Sequence, residues 1–141
     1  LYYEQIRDWQ KRIKEEGWAD NLVDDVVNQI VKISKYRKEK EDHWDTPNEF
    51  IRRGFQGDCE DIAIFMMGTL KQLKYPYHIR ILAVETLTGD HHAILKVEMP
   101  DRKWKIYEAV PIPLSEIDQL FYKPLVEFDE ENIIYFERKG S

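Results

Sequence analysis

The chain of 141 residues carries 27 acidic and 21 basic side chains, a formal charge of −6, with 43% hydrophobic and 13% aromatic residues. That length fits a single domain, 1–141, able to bury a core without staples, and the composition argues against a disordered chain. The acidic balance (isoelectric point about 5.3) argues against a nucleic-acid binder. No apolar run approaches the ~18 residues of a membrane span, and a single cysteine excludes an internal disulfide framework or a Cys-based zinc cluster.

Leu1 is not an initiator methionine, so the chain is read as truncated or processed, and the lack of a signal peptide says nothing about export. Tyr3, Ile6, Trp9 and Ile13 recur at helical spacing and predict a helix over 3–16, ended by Gly17. A second helix is expected from Asp20 to about Lys40, burying Leu22, Val23, Val26, Val27, Ile30, Ile33 and Tyr36. Its last part, Lys35 to Asp42, is a mixed-charge run read as a solvated helix end. In Thr46-Pro47-Asn48-Glu49, Thr46 caps a short helix, Pro47 takes its first position and Glu49 closes a capping box.

Gly54 and Gly57 bracket a turn, after which Asp58 caps a helix running from Cys59 to about Lys74. Met66 and Met67 on it read as packing residues. Past Tyr75-Pro76 the period changes to two, giving strands over 78–84, 92–98 and 103–110 with short connections, hence antiparallel neighbours. The segment 111–129 reads mostly as loop, and 132–137 as a last strand. Helices followed by an antiparallel sheet of three to four strands make an α+β domain.

Cys59 sits in the first turn of its helix, where unpaired backbone N–H groups and the helix dipole favour the nucleophilic thiolate, with a small buried hydrophobe as the alternative reading. A nucleophilic thiol needs a base, and the base an orienting acceptor. Among the four histidines, His43 lies in a charged loop and His78 opens a strand. His91 and His92 open the next strand on opposite faces, and alternation does not choose between them. On the following strand Glu108 interrupts the aromatic and apolar stretch from Trp104 to Val110. A carboxylate there needs a partner, and an imidazole on the adjacent strand supplies one, expected to bond through Nδ1. A structural ion pair with a lysine or arginine is the alternative.

Trp44-Asp45-Thr46-Pro47, then Gly57-Asp58-Cys59-Glu60-Asp61, then His92-Ala93 and then Glu108 resemble the bacterial transglutaminase-like cysteine peptidases over about residues 36–112. The resemblance implies a papain/transglutaminase-like core with the nucleophile at a helix N-terminus. It selects His92 over His91 and implies a catalytic triad of Cys59, His92 and Glu108. The family usually has Asp at the third position, and glutamate is one methylene longer. Trp44, through its indole N–H, and Gln56 are the candidates to join the Cys59 amide in an oxyanion hole.

Asp58, Glu60 and Asp61 oppose a thiolate at Cys59, although capping and helix-start preference also explain them. A bound cation would relieve the conflict, and hard carboxylate oxygens suit calcium. Adhesin-releasing members of the family resemble calcium-dependent enzymes using acids that flank the cysteine, which fall here on Asp58 and Glu60, with Asp61 a third. The chemistry itself requires no cofactor. The implied activity is hydrolysis of a peptide bond in a protein or peptide substrate, through a thioacyl-enzyme, in a bacterial periplasm or cell envelope. Acyl transfer to an amine, as in a transglutaminase, and a non-catalytic peptide-binding module on the same fold are the alternatives. The sequence does not give the oligomeric state.

Overall fold

The computed structural model describes residues 2–36, 46–85, 91–108, 123–129 and 131–135. The helical pattern of the first half becomes four helices. Helix α1 (Tyr2–Glu16) buries Tyr2, Ile6 and Trp9. Gly17 ends it at φ 78°, a left-handed conformation that glycine adopts without a side-chain clash. Helix α2 (Asp20–Ile33) buries Leu22, Val23, Val26, Val27 and Ile30.

The expected continuation of α2 to Lys40 is corrected by the structure. At Ser34 the backbone turns extended, with φ −78° and ψ 143°. The Ser34 hydroxyl donates to the Ile30 carbonyl at 2.6 Å, and the Lys35 N–H goes to the Phe55 carbonyl at 2.7 Å. A side chain that competes for the helix's own carbonyl favours an exit at that point. Residues 35 and 36 instead form the short strand β1 (Lys35–Tyr36). The rest of the mixed-charge run lies outside the described residues.

The short helix α3 (Pro47–Arg52) has the expected capping box. Thr46 Oγ1 accepts the Glu49 N–H at 3.2 Å, and Glu49 Oε1 accepts the Thr46 N–H at 3.4 Å. Strand β2 (Gln56–Gly57) pairs in parallel with β1 and leads directly into helix α4 (Cys59–Gln72). Ile62, Ala63, Phe65, Met66, Thr69 and Leu70 of α4 are buried. It is covered on several sides because it packs on α2 and α3 as well as on the sheet. Met66 is fully buried and Met67 packs against the same core, so both are packing residues.

Five strands complete the fold: β3 (Ile79–Glu85), β4 (His91–Glu98), β5 (Trp104–Glu108), β6 (Lys123–Phe128) and β7 (Ile133–Tyr135). They form one antiparallel sheet in the order β5-β4-β3-β6-β7. The α+β architecture is as the sequence implies, with one strand more than expected. Strand β6 falls in the segment read as loop, where Pro124 weakens the strand pattern. A proline in a sheet is tolerated at edges and bulges, and the β3–β6 register shifts where Pro124 meets Val84.

Alternation along β4 puts Ala93, Leu95 and Val97 into the core shared with the helices. His92, Ile94 and Lys96 point to the opposite face. On that face Lys96 and Arg80 both bind Glu127, at 2.8 Å and 3.2 Å. Among the described residues no helix is long and apolar enough to cross a membrane.

Candidate active site

The segment between β2 and α4 is shaped by a reciprocal cap. The Asp61 N–H donates to Asp58 Oδ1 at 3.2 Å, and the Asp58 N–H donates to Asp61 Oδ2 at 3.2 Å. Asp58 was expected as a cap, and Asp61 closes the box from the position where Glu is usual. Gly57 makes room for it: a Cβ there would stand 2.7 Å from Asp61 Cβ and 2.8 Å from its Oδ2. This cap places Cys59 at the first position of α4, where its own N–H lacks an intrahelical acceptor.

Cys59 is 5% exposed, at the margin of the hydrophobic core. Its thiol donates to Glu60 Oε2 at 3.3 Å, and its sulfur accepts the Ala93 N–H at 3.4 Å. Burial, followed by repulsion from Glu60, pushes the thiol up to about 12, with Asp58 adding to the rise; the Ala93 N–H bond acts the other way and is outweighed. In this state the group is a thiol. The expected lowering by the helix N-terminus is overridden by desolvation and by the neighbouring acids. Burial also raises Asp58, to about 8, with a hydrogen bond and repulsion from Glu60 as further causes. Crowding by the neighbouring carboxylate thus adds to the effect of burial on Asp58.

His92 is 8% exposed, and its Nε2 lies 2.6 Å from Glu108 Oε2. The expected partner of the carboxylate was Nδ1, and the structure corrects this. The reason is reach. In the β4–β5 register Glu108 stands opposite Ile94, so His92 is its diagonal neighbour. Diagonal Cα atoms on a sheet are roughly 7–8 Å apart, and the far ring nitrogen together with the longer glutamate side chain spans that gap. His92 is the second residue of β4. The Cys59 sulfur is held there by the amide of the very next residue, Ala93.

The structure therefore joins His92 to Glu108 directly and brings Cys59 to the residue beside His92. Gln56 lies in β2, three residues before Cys59 and paired with Lys35 through the backbone. Trp44 and His43 lie outside the described residues. His78 is exposed ahead of β3, and His91 pairs with Glu85 at the start of β4. Among the described residues no three His, Cys, Asp or Glu side chains cluster as a metal site. Asp61, expected as the third calcium ligand, is fully buried with its carboxylate in the helix cap. Asp58 and Glu60 remain side by side as oxygen donors.

The contact missed from sequence is the Ala93 amide on the sulfur, which a backbone group does not advertise. The Asp58/Asp61 box, in contrast, has a readable spacing of three.

No protein-family model matches the chain, and no curated protein matches it in sequence. Solved structures do match. Calcium-bound LapG of Legionella pneumophila is 25% identical, with a TM-score of 0.62, over 98% of this chain and 92% of that one. EGTA-treated LapG is 23% identical, with a TM-score of 0.62, over 96% of this chain and 88% of that one. A candidate cysteine protease from Cytophaga hutchinsonii is 16% identical, with a TM-score of 0.63, over 95% of this chain and 47% of that one. The first two share the fold over most of their length, and this chain spans about half of the third. With these neighbours and the site geometry together, the fold is that of the transglutaminase-like cysteine peptidases, the family the sequence motifs resemble.

Proposed function

We propose that the protein is a cysteine peptidase in which Cys59 is the nucleophile, His92 the general base and acid, and Glu108 the residue that orients His92. One arrangement carries this reading: the Cys59 sulfur is hydrogen-bonded by the amide beside His92, while His92 is bonded at 2.6 Å to Glu108. Glu108 holds the ring through Nε2; for catalysis the ring, based on the sheet face opposite the helix that carries Cys59, has to bring Nδ1 round the start of β4 to take the proton from the thiol as the sulfur attacks the substrate carbonyl carbon. The carbonyl π pair moves to oxygen. The Cys59 N–H, which has no intrahelical acceptor at the helix start, donates to that oxyanion, with Gln56 and Trp44 as candidate second donors.

Collapse of the tetrahedral intermediate breaks the C–N bond, and His92 gives its proton to the departing amine. Water then gives a proton to His92 and attacks the thioester, releasing the carboxylic acid and restoring the thiol.

The thiol at rest is held protonated by burial and by Glu60 and Asp58, so a reactive form requires that negative charge to be offset. Asp58 and Glu60 suit a divalent cation such as calcium, as hard oxygen donors crowded together. A bound cation supplies positive charge that favours the thiolate. In this reading Asp61 does not contribute, because its carboxylate is committed to the cap. The sequence resemblance supports a bacterial cell-envelope setting for such an enzyme.

The test is to incubate bacterial envelope extracts with the wild-type protein or with Cys59→Ser, with and without calcium, and to sequence new protein N-termini. New termini found only with the wild type support the reading. Identical sets of termini contradict peptidase activity, and incorporation of an added labelled amine in their place points to acyl transfer.

A further inference from the structure

Glu108 reaches His92 from the last described residue of β5, which stands at one end of the sheet. Most of that strand has little packing to hold it, since Trp104, Lys105 and Ile106 are exposed. Tyr107 is the exception, at 7% exposure. Its side chain lies on the face opposite Glu108 and its hydroxyl donates to Asp24 Oδ1 on α2. Lys105, the preceding residue on that face, donates from Nζ to the same oxygen at 2.6 Å and lies 5.0 Å over the Tyr107 ring.

One carboxylate on α2 thus holds two residues on the same face of the strand that ends in Glu108, the exposed Lys105 and the buried Tyr107. We propose that Asp24 is a positioning residue: by fixing β5 against α2 through Lys105 and Tyr107, it sets the placement of Glu108 on His92. This rests on the assignment of Cys59, His92 and Glu108 above.

The effect is expected to be steep because the Glu108–His92 bond is short and diagonal. A hydrogen bond weakens sharply once heavy atoms move beyond ~3.2 Å or the angle bends. Without Asp24 the buried Tyr107 hydroxyl keeps only its 3.8 Å bond to Met99 Sδ, a weak acceptor, and the strand end shifts. The titration directions agree with a close contact. Burial alone would raise Asp24, yet hydrogen bonds from Lys105 and Tyr107 hold it below the usual carboxyl range. Burial, then the bond to Asp24, raises Tyr107.

The test uses the full chain and two readouts that need no known substrate. The first is the downfield proton NMR signal of His92 Nε2–H, which reports the short bond to Glu108. The second is the rate of Cys59 alkylation by iodoacetamide at fixed pH, followed by intact mass. Asp24→Ala is expected to shift the Nε2–H signal upfield and to slow alkylation roughly tenfold, about 1.4 kcal/mol of activation. Asp24→Ala/Glu108→Ala is expected to match Glu108→Ala alone.

Asp24→Asn keeps an acceptor oxygen and the shape, and is expected to fall between wild type and Asp24→Ala; it carries the same measurement if the alanine variant does not fold. An unmoved Nε2–H signal with only a lower melting temperature overturns the proposal, and so does additivity in the double variant. If Glu108→Ala itself leaves alkylation unchanged, the triad assignment fails, while the NMR signal still reports whether Asp24 places Glu108.

Discussion

His92 and Glu108 meet at 2.6 Å across a diagonal of the β4–β5 ladder, with Ile94 occupying the place directly opposite Glu108. The extra methylene of glutamate, a departure from the usual family aspartate, is what this diagonal calls for. Shortening the side chain therefore breaks the contact even though the charge stays. Glu108→Asp is expected to slow alkylation of Cys59 and cleavage of any substrate by roughly tenfold, and Glu108→Gln by ~100-fold, within the range for loss of general acid–base support. Rates for Glu108→Asp equal to wild type are incompatible with this geometry.

The acids around Cys59 set its resting state. With the thiol pushed up to about 12, the cation-free protein is expected to alkylate slowly at pH 8, with a rate that climbs steadily as pH rises towards 12. Glu60→Gln removes both the repulsion and the negatively charged acceptor, so the profile shifts to lower pH and the rate at pH 8 rises roughly tenfold, the equivalent of one pH unit. Stopped alkylation followed by intact mass across pH 6–11 measures it. An unchanged profile in Glu60→Gln means that burial, with Asp58, holds the thiol without help from Glu60.

Gly57 is required by space, since a Cβ there runs into Asp61 Cβ at 2.7 Å and Oδ2 at 2.8 Å. Gly57→Ala has to displace a buried carboxylate that closes the cap of α4. A loss of about 1–3 kcal/mol of stability is expected from this overpacking, together with slower alkylation as the helix start moves. Denaturant unfolding of the variant checks the first effect. Wild-type stability in Gly57→Ala shows that the segment relaxes at no cost.

The Asp24 tether also predicts a dependence of stability on acid. Its folded carboxyl titrates below the ordinary range, so in acid the unfolded chain takes up the proton first. The stabilisation is present at neutral pH and is lost as pH falls through and below the ordinary carboxyl range. Thermal melts of wild type and Asp24→Asn are expected to differ most at pH 7 and to converge near pH 3. A gap that is constant with pH contradicts the ionic part of the tether.

How far the sequence discloses this molecule depends on whether the signal is local. Helical stripes such as Ile6/Trp9, the Thr46–Glu49 box and the Asp58 cap are short-range patterns, and the structure contains them. The end of α2 at Ser34 is set by one hydroxyl and by a pairing with Phe55, about twenty residues away, which composition does not carry. Strand β6 was hidden by Pro124, tolerated only because the β3–β6 register slips beside it. Within the site, the residues left His91 and His92 open and the family resemblance implied Cys59, His92 and Glu108, whereas the ring nitrogen facing Glu108 follows from ladder register. Register is a long-range property. The capture of Asp61 by the cap, which removes it from the candidate cation ligands, was within reach through its spacing from Asp58.

The most direct test of the account is the alkylation rate of Cys59 at pH 7 in calcium, compared between wild type and His92→Ala by intact mass. A sulfur activated by the imidazole beside Ala93 predicts that the wild type reacts at least tenfold faster. Equal rates in the two proteins would show that His92 does not act on Cys59, and the peptidase reading would then fail while the fold stands.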